Sequence, residues 1–131
     1  FEDVDLCKKI TDVGGKVAVT RKATIFHQHG GASRLNIKTK ALTKTEVIIS
    51  KHTYISNQFP FLIQIYLHSL LIIGVLSEKL ILSLISLFLF FIPKLKVNPL
   101  MLKNLLVYYS NAILKQTWVS PRAMNYLKIK A

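Results

Sequence analysis

Apolar and polar residues alternate through much of the first half of this chain. A two-residue period predicts half-buried β-strands. Over residues 17–26, Val17, Val19, Ala23 and Ile25 fall on one face, with Thr20, Lys22 and Thr24 on the other. His29, Gly30, Gly31, Ala32 and Ser33 break the pattern, and adjacent glycines permit a tight turn there. Alternation resumes over 34–41, where Leu35, Ile37 and Ala41 oppose Arg34, Asn36, Lys38 and Lys40. Residues 46–55 are rich in β-branched side chains and read as a third strand. Ser56, Asn57 and Gln58 form a turn, and 61–67 alternate as a fourth strand. The expectation is a mainly-β fold, a small barrel with one apolar and one basic face to its strands.

The pattern changes after this. Residues 69–92 are almost wholly apolar, broken by Glu78-Lys79 and stopped by Pro93. A bilayer-spanning helix needs about 20 apolar residues. The run 80–92 falls short of that, and 59–77 contains Pro60, Gln64 and His68. The run 80–92 is therefore expected to be a segment buried against a neighbour. The alternative is a two-span membrane hairpin, 59–77 and 80–92, with lysines on its flanks. Residues 1–13 form a polar arm ending near the Gly14-Gly15 turn, 14–92 the main domain, and 93–131 a linker and basic extension.

Charge narrows the class of partner. Eighteen basic residues face six acidic ones, a net charge of +12. Four of the acids, Glu2, Asp3, Asp5 and Asp12, lie in the first twelve residues. Beyond Asp12 there are 16 cations and two carboxylates, Glu46 and Glu78 (18 less Lys8 and Lys9; six less four). Such an excess points to a polyanion, either nucleic acid or an anionic membrane. Lysine outnumbers arginine, and Leu, Ile, Phe, Asn and Tyr are abundant, a usage expected of an A/T-rich genome such as an organelle's. The first residue is Phe1, which is expected of a chain that is processed, truncated or started unconventionally. Cys7 is the only cysteine, so an internal disulfide and a cysteine-based metal cluster are excluded.

Three strings, in order, resemble one family. Thr24-Ile25-Phe26-His27-Gln28-His29-Gly30-Gly31-Ala32-Ser33-Arg34-Leu35 is similar to a segment of the universal large-subunit ribosomal protein L-two. In that family a strand ending Thr-Ile/Val-x-His enters a glycine-rich turn. His29 stands where the family has the first Gly of three, and Gln28 where it has Arg. Tyr54-Ile55-Ser56-Asn57-Gln58 resembles the family's Tyr-Asp-Pro-Asn-Arg turn. The string from Asn98 to Val107 resembles Asn-x-Leu-Pro-Leu-Arg/Lys-Asn-Ile-Pro-Val, with Lys103 at the basic position. A looser likeness runs from Val75 to Leu80. The resemblance covers about residues 14–107.

It implies an OB-type small barrel with irregular and helical extensions, and a role in binding ribosomal RNA within the mitochondrial large ribosomal subunit, in the matrix. It also implies neighbouring ribosomal proteins as partners. Only the family's N-terminal half is matched, so a separately encoded C-terminal half of the same protein is a further expected partner. An OB-type barrel binds RNA through a basic outer face and its loops. The expected RNA-binding residues are Arg21, Lys22, His27, Gly30, Gly31, Arg34, Lys38, Lys40, Asn57 and Lys103.

The remaining chemistry is sparse. His27 and His29 lie two apart with no third ligand near them, so no metal is expected. Cys7 sits in an acidic arm, which raises a thiol pKa rather than activating it. The chain carries no nucleophile elbow, phosphate loop or dinucleotide fingerprint. The expectation is a non-enzymatic binding protein with no cofactor and no small-molecule substrate. The alternative function is a small two-span inner-membrane subunit of a respiratory complex.

Overall fold

The computed structural model describes residues 2–24, 26 and 36–123. It overturns the mainly-β expectation: the described residues form four helices and no strand or barrel. The helices are α1 (Glu2–Asp12), α2 (Ile37–Gln58), α3 (Phe61–Phe88) and α4 (Val97–Lys115). Of the segments read as second, third and fourth strands, residues 37–41, 46–55 and 61–67 are helical. The first, 17–24, has no regular structure.

Local chemistry explains the reversal. Asn36 is a helix N-cap: its backbone is extended, and its side-chain oxygen accepts a hydrogen bond from the Thr39 N–H at 2.8 Å. From there the buried positions of α2 are Ala41, Thr45, Ile49 and His52, a helical stripe spaced four, four and three. The β-branched residues Val47 and Ile55 lie off this stripe, so their strand preference is outweighed by burial of the stripe. Phe59 adopts extended backbone before Pro60, as the residue preceding proline prefers, and the chain reverses there. The Gln64 amide spans the corner, donating to the backbone oxygens of Phe59 (2.7 Å) and Ser56 (3.0 Å). That satisfies carbonyls that α2 leaves without partners at its C-terminus.

The helix α3 runs unbroken through Glu78-Lys79, whose side chains pair with one another at 2.5 Å. Pro93 lies in the turns that follow, and Pro99 sits in the first turn of α4, where a missing N–H costs nothing.

The three long helices pack against one another. One apolar cluster joins Ile49 of α2 to Leu105, Tyr108, Tyr109 and Ala112 of α4, with Ile72, Val75 and Leu76 of α3 beside it. A second joins Ala41 to Val97 and Met101. Rising residue number on α2 therefore pairs with rising number on α4, so those helices are parallel, and α3 runs antiparallel to both. Burying a side chain such as Leu105 contributes about 1.5–3 kcal/mol. The helix α1 meets this bundle at the far end of α2, where the Gln58 amide donates to Asp5 at 2.9 Å.

Candidate functional site: a lysine end and a buried histidine pair

Parallel α2 and α4 bring two helix N-termini to the same end of the bundle. Neither carries an acidic residue in its first turn. Each N-terminus is the positive end of a helix dipole, with the Thr39 N–H capped by Asn36, the Asn98 N–H bonded to the Leu95 carbonyl and Pro99 lacking one. Around them lie Lys38, Lys40 and Lys44 from α2, and Lys94, Lys96 and Lys103 from α4 and the turn before it. All but the half-buried Lys40 are exposed. The nearest carboxylate along α2 is Glu46, and it faces Arg122 at 3.7 Å. The acidic helix α1 lies at the opposite end. There Asp5 pairs with Lys9 at 2.5 Å and Asp12 with Lys8 at 2.9 Å. The Lys9 ammonium, first, holds the Asp5 carboxyl below its ordinary value. The protein is thus electrically polarised along the bundle axis.

The expected RNA-contacting residues divide accordingly. Lys38, Lys40 and Lys103 gather at the lysine end. Asn57 is exposed at the other end of α2, about 28 Å away by the helical rise. Arg21 and Lys22 are exposed in the irregular segment before α2, where the Lys22 N–H donates to Thr20 Oγ1 at 3.1 Å. His27, Gly30, Gly31 and Arg34 lie outside the described residues. Lys44, near the expected residues in sequence, joins the constellation, as do Lys94 and Lys96, which the sequence did not single out. The signal that finds them is the parallel pairing of two helices, which a strand reading of 34–41 hides.

A second constellation lies inside the bundle. His52 and His68 are both buried, and their Nδ1 atoms are 2.8 Å apart. His52 Nε2 lies 3.1 Å from the Tyr109 hydroxyl, and His68 Nε2 lies 3.3 Å from Ser56 Oγ. Counting protons fixes the tautomers. The Ser56 hydroxyl donates to the His52 carbonyl at 3.1 Å, which can only accept. Ser56 Oγ therefore accepts from His68 Nε2–H. His68 Nδ1 is then bare and accepts from His52 Nδ1–H. His52 Nε2 in turn accepts from the Tyr109 O–H. Each group in this chain is satisfied with both rings neutral.

Trp118 closes the pair from outside. Gln116, in left-handed backbone (φ 51°), reverses the chain after α4, and the Thr117 N–H bonds the Ala112 carbonyl at 3.1 Å. This turn lays the indole on His68 at 4.1 Å and on His52 at 4.9 Å between ring centres, nearly parallel to both. The Trp118 carbonyl accepts from the hydroxyls of Tyr108 (2.7 Å) and Thr53 (3.1 Å). Burial, then the neighbouring His68, pushes His52 down to about 3. Stacking on an indole favours a cation by about 0.5–2 kcal/mol, less than the several kcal/mol that desolvation of a charge costs. Burial pushes Tyr109 up to about 12, so its hydroxyl stays protonated and able to donate. Among the described residues no cluster of three metal-ligating side chains exists.

One face remains. Of α3 only His68 and Ser86 are fully buried, both polar; Ile72, Val75 and Leu76 pack half-buried against the core, and most of its other Leu, Ile and Phe side chains are exposed. It is also the one helix among the described residues that is long and apolar enough to cross a membrane. No family model, curated protein or solved structure matches this chain.

Proposed function

We propose that this protein is a non-enzymatic RNA-binding component of the mitochondrial large ribosomal subunit, holding ribosomal RNA at its lysine end. The observation that carries this is the gathering of Lys38, Lys40, Lys44, Lys94, Lys96 and Lys103 about two parallel helix N-termini. Such an end suits phosphates, because backbone N–H groups and ammonium groups converge there. The three ordered likenesses to the large-subunit family supply the choice of ribosomal RNA over other polyanions. Its neighbours in the subunit, including a separately encoded C-terminal half, would cover the apolar face of α3.

The affinity is electrostatic, so it falls steeply with salt. Each lost phosphate contact lowers the slope of log affinity against log salt by about 0.7–0.9. The protein should sediment with large ribosomal subunits and leave them on RNase treatment or in high salt. Joint replacement of Lys38, Lys40 and Lys103 by Gln should weaken RNA binding and flatten that slope. Retention on subunits that is indifferent to both RNase and salt contradicts the proposal.

A second reading is favoured by α3 alone: a small membrane-attached subunit of a respiratory complex. Its described residues hold one candidate span, not the two of a hairpin. Resistance to alkaline carbonate extraction, with co-purification of a membrane complex free of RNA, selects this reading.

A further inference from the structure

We propose that the His52–His68 pair is an acid-sensitive latch that holds residues 117–123 on the bundle and lets them go when a ring gains a proton. The geometry carries this. The chain Tyr109–His52–His68–Ser56 contains one proton per contact, and both rings are already fully used. A proton added at His68 Nδ1 sets two N–H groups head to head across 2.8 Å. A proton added at His52 Nε2 meets the Tyr109 O–H, which must turn away from the ring. Either way a charge appears beneath Trp118.

Among the described residues no charged side chain is placed to receive it. The groups facing the pair are Ser56 from α2, Tyr108 and Tyr109 from α4, and Trp118 from the terminal segment. Two carboxylates line the cavity under that segment, and both are engaged elsewhere: Glu46 faces Arg122 and Asp5 pairs with Lys9. The segment is the piece that yields. It is held by Trp118 stacking, by two hydroxyls on the Trp118 carbonyl and by the exposed Arg122–Glu46 pair. The helices, by contrast, share an apolar core. Opening hydrates both rings, and each ring that titrates only when open weakens closure about tenfold per pH unit below its open-state value. This device is independent of what the lysine end binds.

Trp118 is the only tryptophan, so its emission reports the latch directly. The full chain, in a mild non-ionic detergent that covers α3, would be titrated from pH 7 to pH 4. Emission wavelength, acrylamide quenching and helical circular dichroism would be followed together. Quenching is expected to rise about threefold and emission to move red while helicity holds, a local opening rather than unfolding. His68→Gln keeps a neutral donor and acceptor at that position, and should remain closed to lower pH. If that variant folds poorly, Trp118→Phe serves instead, its accessibility read by limited proteolysis after Arg122. Loss of helicity together with Trp118 exposure at one pH overturns the latch. So does a titration in which the indole environment never changes, or one that His68→Gln leaves where it was.

Discussion

The helices α3 and α4 lie side by side in one bundle and follow opposite rules. α4 buries Val97, Met101, Leu105, Tyr108, Tyr109 and Ala112, an apolar stripe at helical spacing, with Asn98 beside it. α3 fully buries only a histidine and a serine, half-buries Ile72, Val75 and Leu76, and exposes Leu62, Leu70, Leu80, Leu84 and Leu87. A helix that is apolar all round needs cover on every side. The difference teaches that α4 supplies most of the buried apolar core, while α3 gives the bundle His68, Ser86 and a half-buried stripe of Ile72, Val75 and Leu76 and leaves the rest of its apolar surface exposed.

The sharpest way to break that contrast is truncation on each helix. Leu105 is completely buried, and Leu105→Ala should cost about 2–5 kcal/mol. Leu87 of α3 is 70% exposed, and Leu87→Ala should change the stability of the isolated protein by less than about 0.5 kcal/mol. Chemical denaturation of both variants in the same detergent decides it. Equal losses would mean that α3 buries its leucines within the bundle after all. If neighbours cover that surface as proposed, the same Leu87 replacement should matter more in the assembly than in the isolated protein.

Acid tests the buried histidine pair, to which α2 contributes His52 and α3 contributes His68. His52 is held at about 3 against an ordinary 6.5, so the unfolded chain binds a proton that the folded chain refuses. The stabilising contribution is complete above about pH 6.5. It falls by about 1.4 kcal/mol per pH unit below that, and levels off near pH 3. Denaturant midpoints measured at pH 7.5 and 5.0 should therefore differ, and His52→Asn should abolish most of the difference. A midpoint constant across that range would mean that His52 is already charged or solvated.

Less of this architecture was legible in the sequence than the charge was. The cationic imbalance and the acidic start can both be read from residue types. The fold could not, for a specific reason. Residues 34–41 satisfy a two-residue alternation, while Ala41, Thr45, Ile49 and His52 satisfy a helical one with equally few apolar residues. β-branched residues tipped 46–55 toward a strand, yet intrinsic preferences are worth only tenths of a kcal/mol per residue and packing outweighs them. Asn36, three before Thr39, was the available clue to a helix start. The histidine pair was invisible for another reason. His52 and His68 are sixteen residues apart, and the turn at Phe59-Pro60 is what brings them face to face.

That clue has a measurable counterpart. Asn36→Ala removes the cap on the Thr39 N–H and should cost about 1 kcal/mol. Because α2 carries half of the lysine end, fraying its first turn should also weaken RNA binding in low salt. Asn36→Ser should keep both. Identical stability of the Ala and Ser variants would remove the cap from the account.

The smallest effect lies where α4 hands the chain back toward α3. Gln116 holds left-handed backbone at φ 51° and ψ 39°, a region that costs a side-chain-bearing residue about 1–2 kcal/mol. Glycine occupies it without that cost, but it also gives the unfolded chain more freedom to lose. The two terms oppose, so Gln116→Gly should stabilise the protein by about 0.5–1 kcal/mol, and Gln116→Val should destabilise it, since a β-branched residue fits that backbone worst. The gain should appear in the Trp118 segment first, as slower proteolysis there and a lower pH for indole exposure, because this turn sets the indole on His68. A glycine variant that loses stability would show that the reversal after Lys115 is not the strained point joining the two helices.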